Sequence, residues 1–301
     1  MKKVPFKSVC FVLLFVIISL LAVIPINSVE ANKSHAWMQQ VSDEKRIVEM
    51  SIPGTHDSGA THSIFDVAGK CQDMGIKEQL NIGVRFFDIR LQLVNDKFEV
   101  VHSFVKQNLM FSSVIDDMGN YIRNNPSEFL LVSIKKEESD INSTLGFEEA
   151  LKNEIKNYED VISYDTSLPD KLKDARGKIY FLSRYDLSFG IKAYSNWQDD
   201  TTFETDKLYV QDNYCIENFE IKKQDILDTI EYSKTNKNKL VLNFTSCYLD
   251  NAFPPTYAGA IGKDINLWLK EYYKQELGCL GIMVMDFISY DLSKSIYERN
   301  Y

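Results

Sequence analysis

Short apolar runs rich in β-branched and aromatic residues recur along this chain at 47–52, 85–93, 98–101, 129–134, 178–182, 208–210, 240–244 and 281–285. Runs of this length predict buried strands. Between several of them the apolar spacing changes to a helical period. Val114, Ile115, Met118, Tyr121 and Ile122 fall on one helical face, and Asn125-Pro126 supplies the stop. Ile226, Leu227 and Ile230 predict a second helix, and Ile261, Ile265, Leu267, Trp268 and Leu269 a third. Strands alternating with helices imply βα units and a mostly parallel sheet. The expectation is an α/β chain, a single domain built as a distorted (β/α) TIM-like barrel with some helices missing or irregular. The short step from Leu93 to Phe98 predicts a hairpin, which departs from regular βα alternation.

Polar residues interrupt these runs at their ends. His56 and Asp57 follow the first, Asp88 and Arg90 lie inside the second, and His102 ends the third. Lys135, Arg184, Asp212, Thr245 and Asp286 close the remaining five in turn. In a parallel barrel the C-terminal strand ends face one way, where such folds place their chemistry. Within Phe86–Leu91, alternation sets Phe86, Asp88 and Arg90 on one face and Phe87, Ile89 and Leu91 on the other. The first face points charge into the barrel. There an unpaired cation is costly, and a guanidinium suits an anionic group. A structural Asp88–Arg90 ion pair is the alternative use of the same residues.

Composition alters this picture at one end of the chain. Lys2, Lys3 and Lys7 precede an uncharged apolar block, 9–24, followed by Pro25 and a small-residue site at Val29-Glu30-Ala31. That order is expected of a secretory signal peptide over 1–31, cleaved near Ala31, with the secreted barrel domain spanning 32–301. Removing 1–31 deletes three lysines and one glutamate, which carries the formal charge from −9 to −11. Such a chain is a poor ligand for nucleic acid. Cys71, Cys215, Cys247 and Cys279 remain, widely spaced and without zinc-type pairs; they permit disulfides but do not define a pairing.

Two histidines and an arginine suffice for cleavage of a phosphodiester without a metal. One imidazole takes a proton from the attacking hydroxyl, the other protonates the leaving oxygen, and the cation offsets charge on phosphorus. Of the 4 histidines, His35 lies beside the expected cleavage site and His62 lies in a loop, which leaves His56 and His102 on strand ends. Arg90 among the acidic residues would repel a divalent ion, so no metal and no other cofactor is expected.

Several ordered blocks carry a resemblance. Met50–Gly59 (Met-Ser-Ile-Pro-Gly-Thr-His-Asp-Ser-Gly) is followed by Phe-Asp-Ile-Arg at 87–90, Asn-Pro-Ser-Glu at 125–128 and Ser-Ile-Lys-Lys-Glu at 133–137. Asp-Ala-Arg-Gly-Lys-Ile at 174–179, Val-Gln-Asp-Asn-Tyr at 210–214, Asn-Phe-Thr-Ser at 243–246 and Met-Asp-Phe at 285–287 complete the series. In this order they resemble bacterial phosphatidylinositol-specific phospholipase C through essentially the whole chain after residue 31. The resemblance implies His56 as general base toward the inositol 2-hydroxyl, oriented by Asp286, and His102 as general acid toward the diacylglycerol oxygen, assisted by Asp57. It implies that Arg90, supported by Asp88, neutralises the phosphate where calcium serves in metal-bearing relatives. Lys135, Arg184, Asp212 and Tyr214 match the inositol contacts. The implied products are diacylglycerol and inositol 1,2-cyclic phosphate. The implied partner is phosphatidylinositol in a membrane surface, together with glycosylphosphatidylinositol-anchored proteins, met by a monomer. Two positions depart from the family's pattern: Ser103 stands where Gly usually follows the acid histidine, and Leu91 where Gly often follows the arginine.

A lipid substrate requires a surface that meets a bilayer. Ile64 and Phe65 in one loop, and Phe253 and Tyr257 in another, are the apolar residues expected to make that contact. A metal-dependent glycerophosphodiester phosphodiesterase and a catalytically silent inositol-lipid-binding protein are the competing readings. The second has no use for both an acid and a base.

Overall fold

The computed structural model describes residues 36–62, 69–235, 237–250, 258–275 and 278–301. Its strands are β1 Ile52–Thr55, β2 Phe86–Val94, β3 Lys97–His102, β4 Val105–Met110, β5 Phe129–Lys136, β6 Lys178–Arg184, β7 Ile191–Lys192, β8 Thr202–Glu204, β9 Leu208–Gln211, β10 Cys215–Ile216, β11 Leu240–Phe244, β12 Tyr248–Leu249 and β13 Ile282–Met285. The main sheet runs β7-β6-β5-β2-β1-β13-β11-β9-β8, with the β3–β4 hairpin attached to β2. From β7 through to β9 every pairing is parallel, and β8 adds an antiparallel edge. The expected TIM-like α/β architecture is present as a curled sheet. Hydrogen bonding does not close it among the described residues, since β7 and β8 end the path as its two edges.

The alternation read in β2 divides the core. Phe87, Ile89 and Leu91 pack outward with Val114, Ile115 and Met118 of the helix Phe111–Asn124. Phe86 points inward, beside Phe129, Leu131, Leu182, Val210, Leu242 and Val284 from the neighbouring strands. Trp37, Met38, Ile47, Met50 and Tyr297 belong to the same inner cluster and carry it to the N-terminal end of the barrel. That end is therefore packed core, and the polar chemistry is confined to the other mouth.

Three expectations change. The run 47–52 is not one strand: Ile47–Glu49 is a 3-10 turn, and the ladder begins where Ile52 N–H donates to Gly281 O at 3.0 Å. Ile47 and Met50 are buried three residues apart, a helical rather than a strand spacing. Second, the hairpin expected at Leu93–Phe98 is present, β3 running antiparallel to β2 with Leu91 opposite Val100 and Leu93 opposite Phe98, and what changes is how His102 arrives. His102 thus reaches the mouth because the hairpin returns the chain there, not because it ends a parallel strand. Third, β4 had no counterpart in the apolar pattern, because it alternates buried and exposed positions. Ser103, in the β3–β4 turn, has φ +49°, a left-handed conformation that explains why glycine suits this position. Leu91 is fully buried in the outer core, so its side chain does not enter the mouth.

Candidate active site

Strand register aligns the charges. Arg90 of β2 pairs with Lys135 of β5, which pairs with Arg184 of β6, so three cations stand side by side on adjacent parallel strands. One pleat below, Asp88 pairs with Ser133. On the other side Thr55 pairs with Met285, which brings the next residues, His56 and Asp286, together. Arg90, Lys135, Arg184, His56 and Asp286, with His102, Asp212 and Tyr214, line a cavity of about 450 Å³.

His56 Nδ1 lies 2.8 Å from Asp286 Oδ1, and its Nε2 lies 2.8 Å from Arg90 Nη2. A guanidinium can only donate, so Nε2 is the acceptor and Nδ1 carries the proton toward Asp286. Burial opposes charge on His56, yet Asp286 outweighs it and the imidazole sits above its usual range. The side chain is only 14% exposed, so the ring reaches the cavity and not open solvent.

Arg90 connects everything else. Its Nε and Nη2 each donate to Asp88 Oδ2 at 3.1 Å. Its Nη1 lies 3.4 Å from Glu137 Oε1 and 3.5 Å from Asp57 Oδ2. Asp88 is fully buried, and it also accepts from Ser133 Oγ at 3.2 Å and Arg184 Nη1 at 3.4 Å. Burial works against its charge, but Arg90 and Arg184 hold its carboxyl well below the usual carboxylate range. The Asp88–Arg90 pair is thus real, and it aims the guanidinium at His56.

Asp57 has a different role from its neighbour. Its side chain is fully buried, and neither carboxylate oxygen has a hydrogen-bond partner. Burial pushes its carboxyl up, opposed by Arg90 and His102. Its Oδ2 lies 3.7 Å from His102 Nε2, and its backbone is left-handed, with φ +42°. The adjacent residues His56 and Asp57 therefore belong to separate pairs, His56 with Asp286 and Asp57 with His102.

At the far side, Arg184 stacks on Trp197 with its guanidinium 3.7 Å from the ring centroid, and Trp197 Nε1 donates to Asp212 Oδ2 at 3.3 Å. Burial raises the Asp212 carboxyl. Tyr214 leans against Tyr248 at 5.8 Å between centroids. The expected residues His56, Asp57, Asp88, Arg90, His102, Lys135, Arg184, Asp212, Tyr214 and Asp286 are all brought together. Ile64, Phe65, Phe253 and Tyr257 lie outside the described residues, as does the expected signal segment.

Sequence reasoning missed four residues. Glu137 joins Lys135 Nζ at 2.6 Å and Arg90, and it accepts from the Ser103 backbone at 3.3 Å. It directly follows β5 and continues the alternation of Ser133 and Lys135, so that pattern could have found it. Trp197, Cys71 and Gln72 come from irregular segments with no periodic signal. Gln72 Nε2 donates to both His56 O and Met285 O at 2.8 Å, tying the ends of β1 and β13. The four described cysteines after the expected signal are free thiols.

A family model, phosphatidylinositol-specific phospholipase C, X domain, matches residues 50–184. A 1-phosphatidylinositol phosphodiesterase of Staphylococcus aureus (strain Newman) is 30% identical over 295 residues, covering 88% of this chain and 93% of the relative. One of Listeria monocytogenes is 27% identical, over 88% and 84% of the two chains. A solved mutant of the Staphylococcus aureus phosphatidylinositol-specific phospholipase C superposes with TM-score 0.79 at 26% identity, over 90% of this chain and 99% of that one. The Listeria monocytogenes structure gives 0.70 at 26%, over 88% and 98%. The protein belongs to the bacterial phosphatidylinositol-specific phospholipase C family.

Proposed function

We propose that the protein cleaves phosphatidylinositol at a membrane surface, releasing diacylglycerol and inositol 1,2-cyclic phosphate without a metal ion. One observation carries the reading. The Arg90 guanidinium touches one imidazole, His56, and lies 3.5 Å from the carboxylate that faces the other, His102, and each imidazole has its own buried carboxylate: His56 with Asp286, and His102 with Asp57. A base on one side of a cation and an acid on the other is the arrangement an in-line displacement at phosphorus needs.

In the first step the inositol 2-hydroxyl gives its proton to His56 Nε2, and its oxygen attacks the phosphorus of the same molecule. Asp286 stabilises the imidazolium that forms. Arg90 leaves Nε2 to bind the phosphate oxygens, and in doing so frees the base. The bond from phosphorus to the glycerol oxygen breaks, and His102 supplies the proton to that oxygen. Asp57 supports the charged form of His102. Slower water attack on the cyclic ester would use the same pair in reversed roles. Lys135, Arg184 and Asp212 are the contacts for the remaining inositol hydroxyls, with Tyr214 as a ring platform, and Asp88 fixes Arg90.

Glycosylphosphatidylinositol anchors contain the same bond and are included in the proposed substrate range. Residues 1–31 are proposed as a signal that exports the domain 32–301, consistent with a substrate on outer membrane surfaces. Ile64, Phe65, Phe253 and Tyr257 are proposed membrane contacts. Phe104, 79% exposed in the turn beside His102, joins them. No helix among the described residues is long and apolar enough to cross a membrane, so contact through loops suits the reading.

The test is incubation with phosphatidylinositol vesicles in excess chelator, followed by lipid analysis. Diacylglycerol accumulating in chelator is expected. Phosphatidic acid as the lipid product, or diacylglycerol only after calcium or magnesium is restored, would overturn the proposal.

A further inference from the structure

Cys71 stands in the cavity without a part in the chemistry above. Its Sγ lies 3.7 Å from His102 Nδ1. Backbone hydrogen bonds fix its position: Cys71 N–H donates to Ala60 O at 2.8 Å, and its carbonyl accepts from Phe287 N–H at 2.9 Å. Cys71, Asp57 and His102 each offer one ligand atom, all mutually within 4.8 Å, and Cys71 with His56 and Asp286 satisfies the same condition. The thiol therefore lies at the junction of both proton-carrying pairs.

We infer that Cys71, His102 and Asp57 form an inhibitory site for a thiophilic divalent cation such as Zn²⁺ or Cd²⁺. The donor set is one sulfur, one imidazole nitrogen and one carboxylate oxygen, a combination suited to zinc-like ions and not to calcium or magnesium. Around such an ion, bond lengths of about 2.0–2.3 Å place tetrahedral ligand atoms roughly 3.3–3.7 Å apart. The sulfur–nitrogen separation already meets this. The third ligand has to close by about an ångström on the same scale, and His102, at 26% side-chain exposure in a hairpin end, can move. The Asp57 carboxylate is buried, with both oxygens unpartnered; its Oδ2 approaches His102 at Nε2, 3.7 Å away, whereas Cys71 approaches Nδ1, so the ring has to turn or shift to offer one nitrogen to both. Arg90, 3.5 Å from Asp57 Oδ2, opposes the ion. Lys135 and Arg184 stand beside Arg90 on the neighbouring strands, and against these cations stand Asp57, Asp286, Glu137 and the sulfur once it is metallated.

Binding exchanges the thiol proton for the metal: the S–H bond breaks, a sulfur–metal bond forms, and the proton leaves to solvent. The ion then takes the lone pair that His102 needs to carry a proton. This rests on the proposed role of His102, so binding and inhibition are measured separately.

The probes are CdCl₂ and ZnCl₂ added to the full-length protein after it has been reduced and freed of reductant, in anaerobic buffer. The expected result is a cadmium–thiolate charge-transfer band that saturates at one equivalent. It is absent in Cys71→Ser and Cys71→Ala and retained in Cys279→Ser and Cys247→Ser. Zinc inhibition of phosphatidylinositol cleavage, each variant normalised to its own metal-free rate, is expected to weaken by more than roughly tenfold in both Cys71 variants. That is the scale on which even outer partners of a metal ligand act. A band of full intensity in both Cys71 variants, or none in the wild type, overturns the site. A Cys71-dependent band without inhibition overturns its inhibitory role. Absence of any metal-free cleavage by the wild type would instead count against the proposed function, leaving the cadmium band as the test of the site.

Discussion

Replacing Arg90 with Lys keeps one positive charge in place and removes the planar fork, which isolates what the geometry contributes. Arg90 uses Nε and Nη2 on Asp88, Nη2 on His56, and Nη1 toward Glu137 and Asp57. A single ammonium cannot hold Asp88 and also present two N–H groups to a phosphate. If two charge-assisted hydrogen bonds to the transition state are lost, each at about 1.5–3 kcal/mol, the barrier rises by about 3–6 kcal/mol. At roughly 1.36 kcal/mol per tenfold this corresponds to a loss of about two to four decades in kcat. The assay is initial-rate cleavage of a soluble inositol phosphodiester, which avoids vesicle binding, with KM and kcat separated. Arg90→Lys is expected to lower kcat by that amount with a smaller change in KM. A kcat within tenfold of the wild type in the folded variant would refute the assigned role, because charge alone would then suffice.

Asp286→Asn removes the carboxylate that holds His56 above its usual range against the opposing effect of burial. The imidazole should lose its proton at lower pH, so the acid limb of the kcat/KM profile shifts downward while the plateau falls; an unmoved limb would break the assignment. Glu128→Ala removes the carboxylate that faces the fully buried Arg85, whose Nε and Nη2 lie 2.8 Å from Glu128 Oε2. Urea unfolding should report a loss of about 3–5 kcal/mol, the usual cost of breaking a buried pair. Phe104→Ser, and Phe65→Ser combined with Phe253→Ser, should weaken binding to phosphatidylinositol vesicles and leave cleavage of the soluble diester unchanged. Equal loss on both substrates, by sedimentation and kinetic assay, would remove these residues from the membrane surface.

Much of this site was readable because its residues sit on buried parallel strands. There an apolar run fixes the register and a polar residue at its end stands out, as Lys135, Arg184 and Asp286 do. The inward face of β2 followed from alternation alone, and it placed Asp88 and Arg90 correctly. Legibility failed where a long-range contact decides position. The hairpin that returns His102 could be read from the short step at Leu93–Phe98, but β4, which follows it, alternates buried and exposed positions and carries no apolar run. The 47–52 run looked like a strand, yet Ile47 and Met50 pack at turn spacing into the inner core. Cys71, Gln72 and Trp197 reach the cavity from irregular segments, and their partners are distant in sequence. Gln72 caps Met285, 213 residues away. Local propensity holds no record of such a bond.

The central claim is intramolecular attack by the inositol 2-hydroxyl, with His56 as its base. Phosphorus NMR of phosphatidylinositol turnover in chelator tests it directly, comparing wild type with His56→Ala. The account predicts that the wild type converts the diester signal first to a five-membered cyclic phosphate and only later to the monoester, and that His56→Ala abolishes the cyclic signal. A cyclic signal that grows unchanged in His56→Ala, or a monoester formed by the wild type with no cyclic precursor, would contradict it.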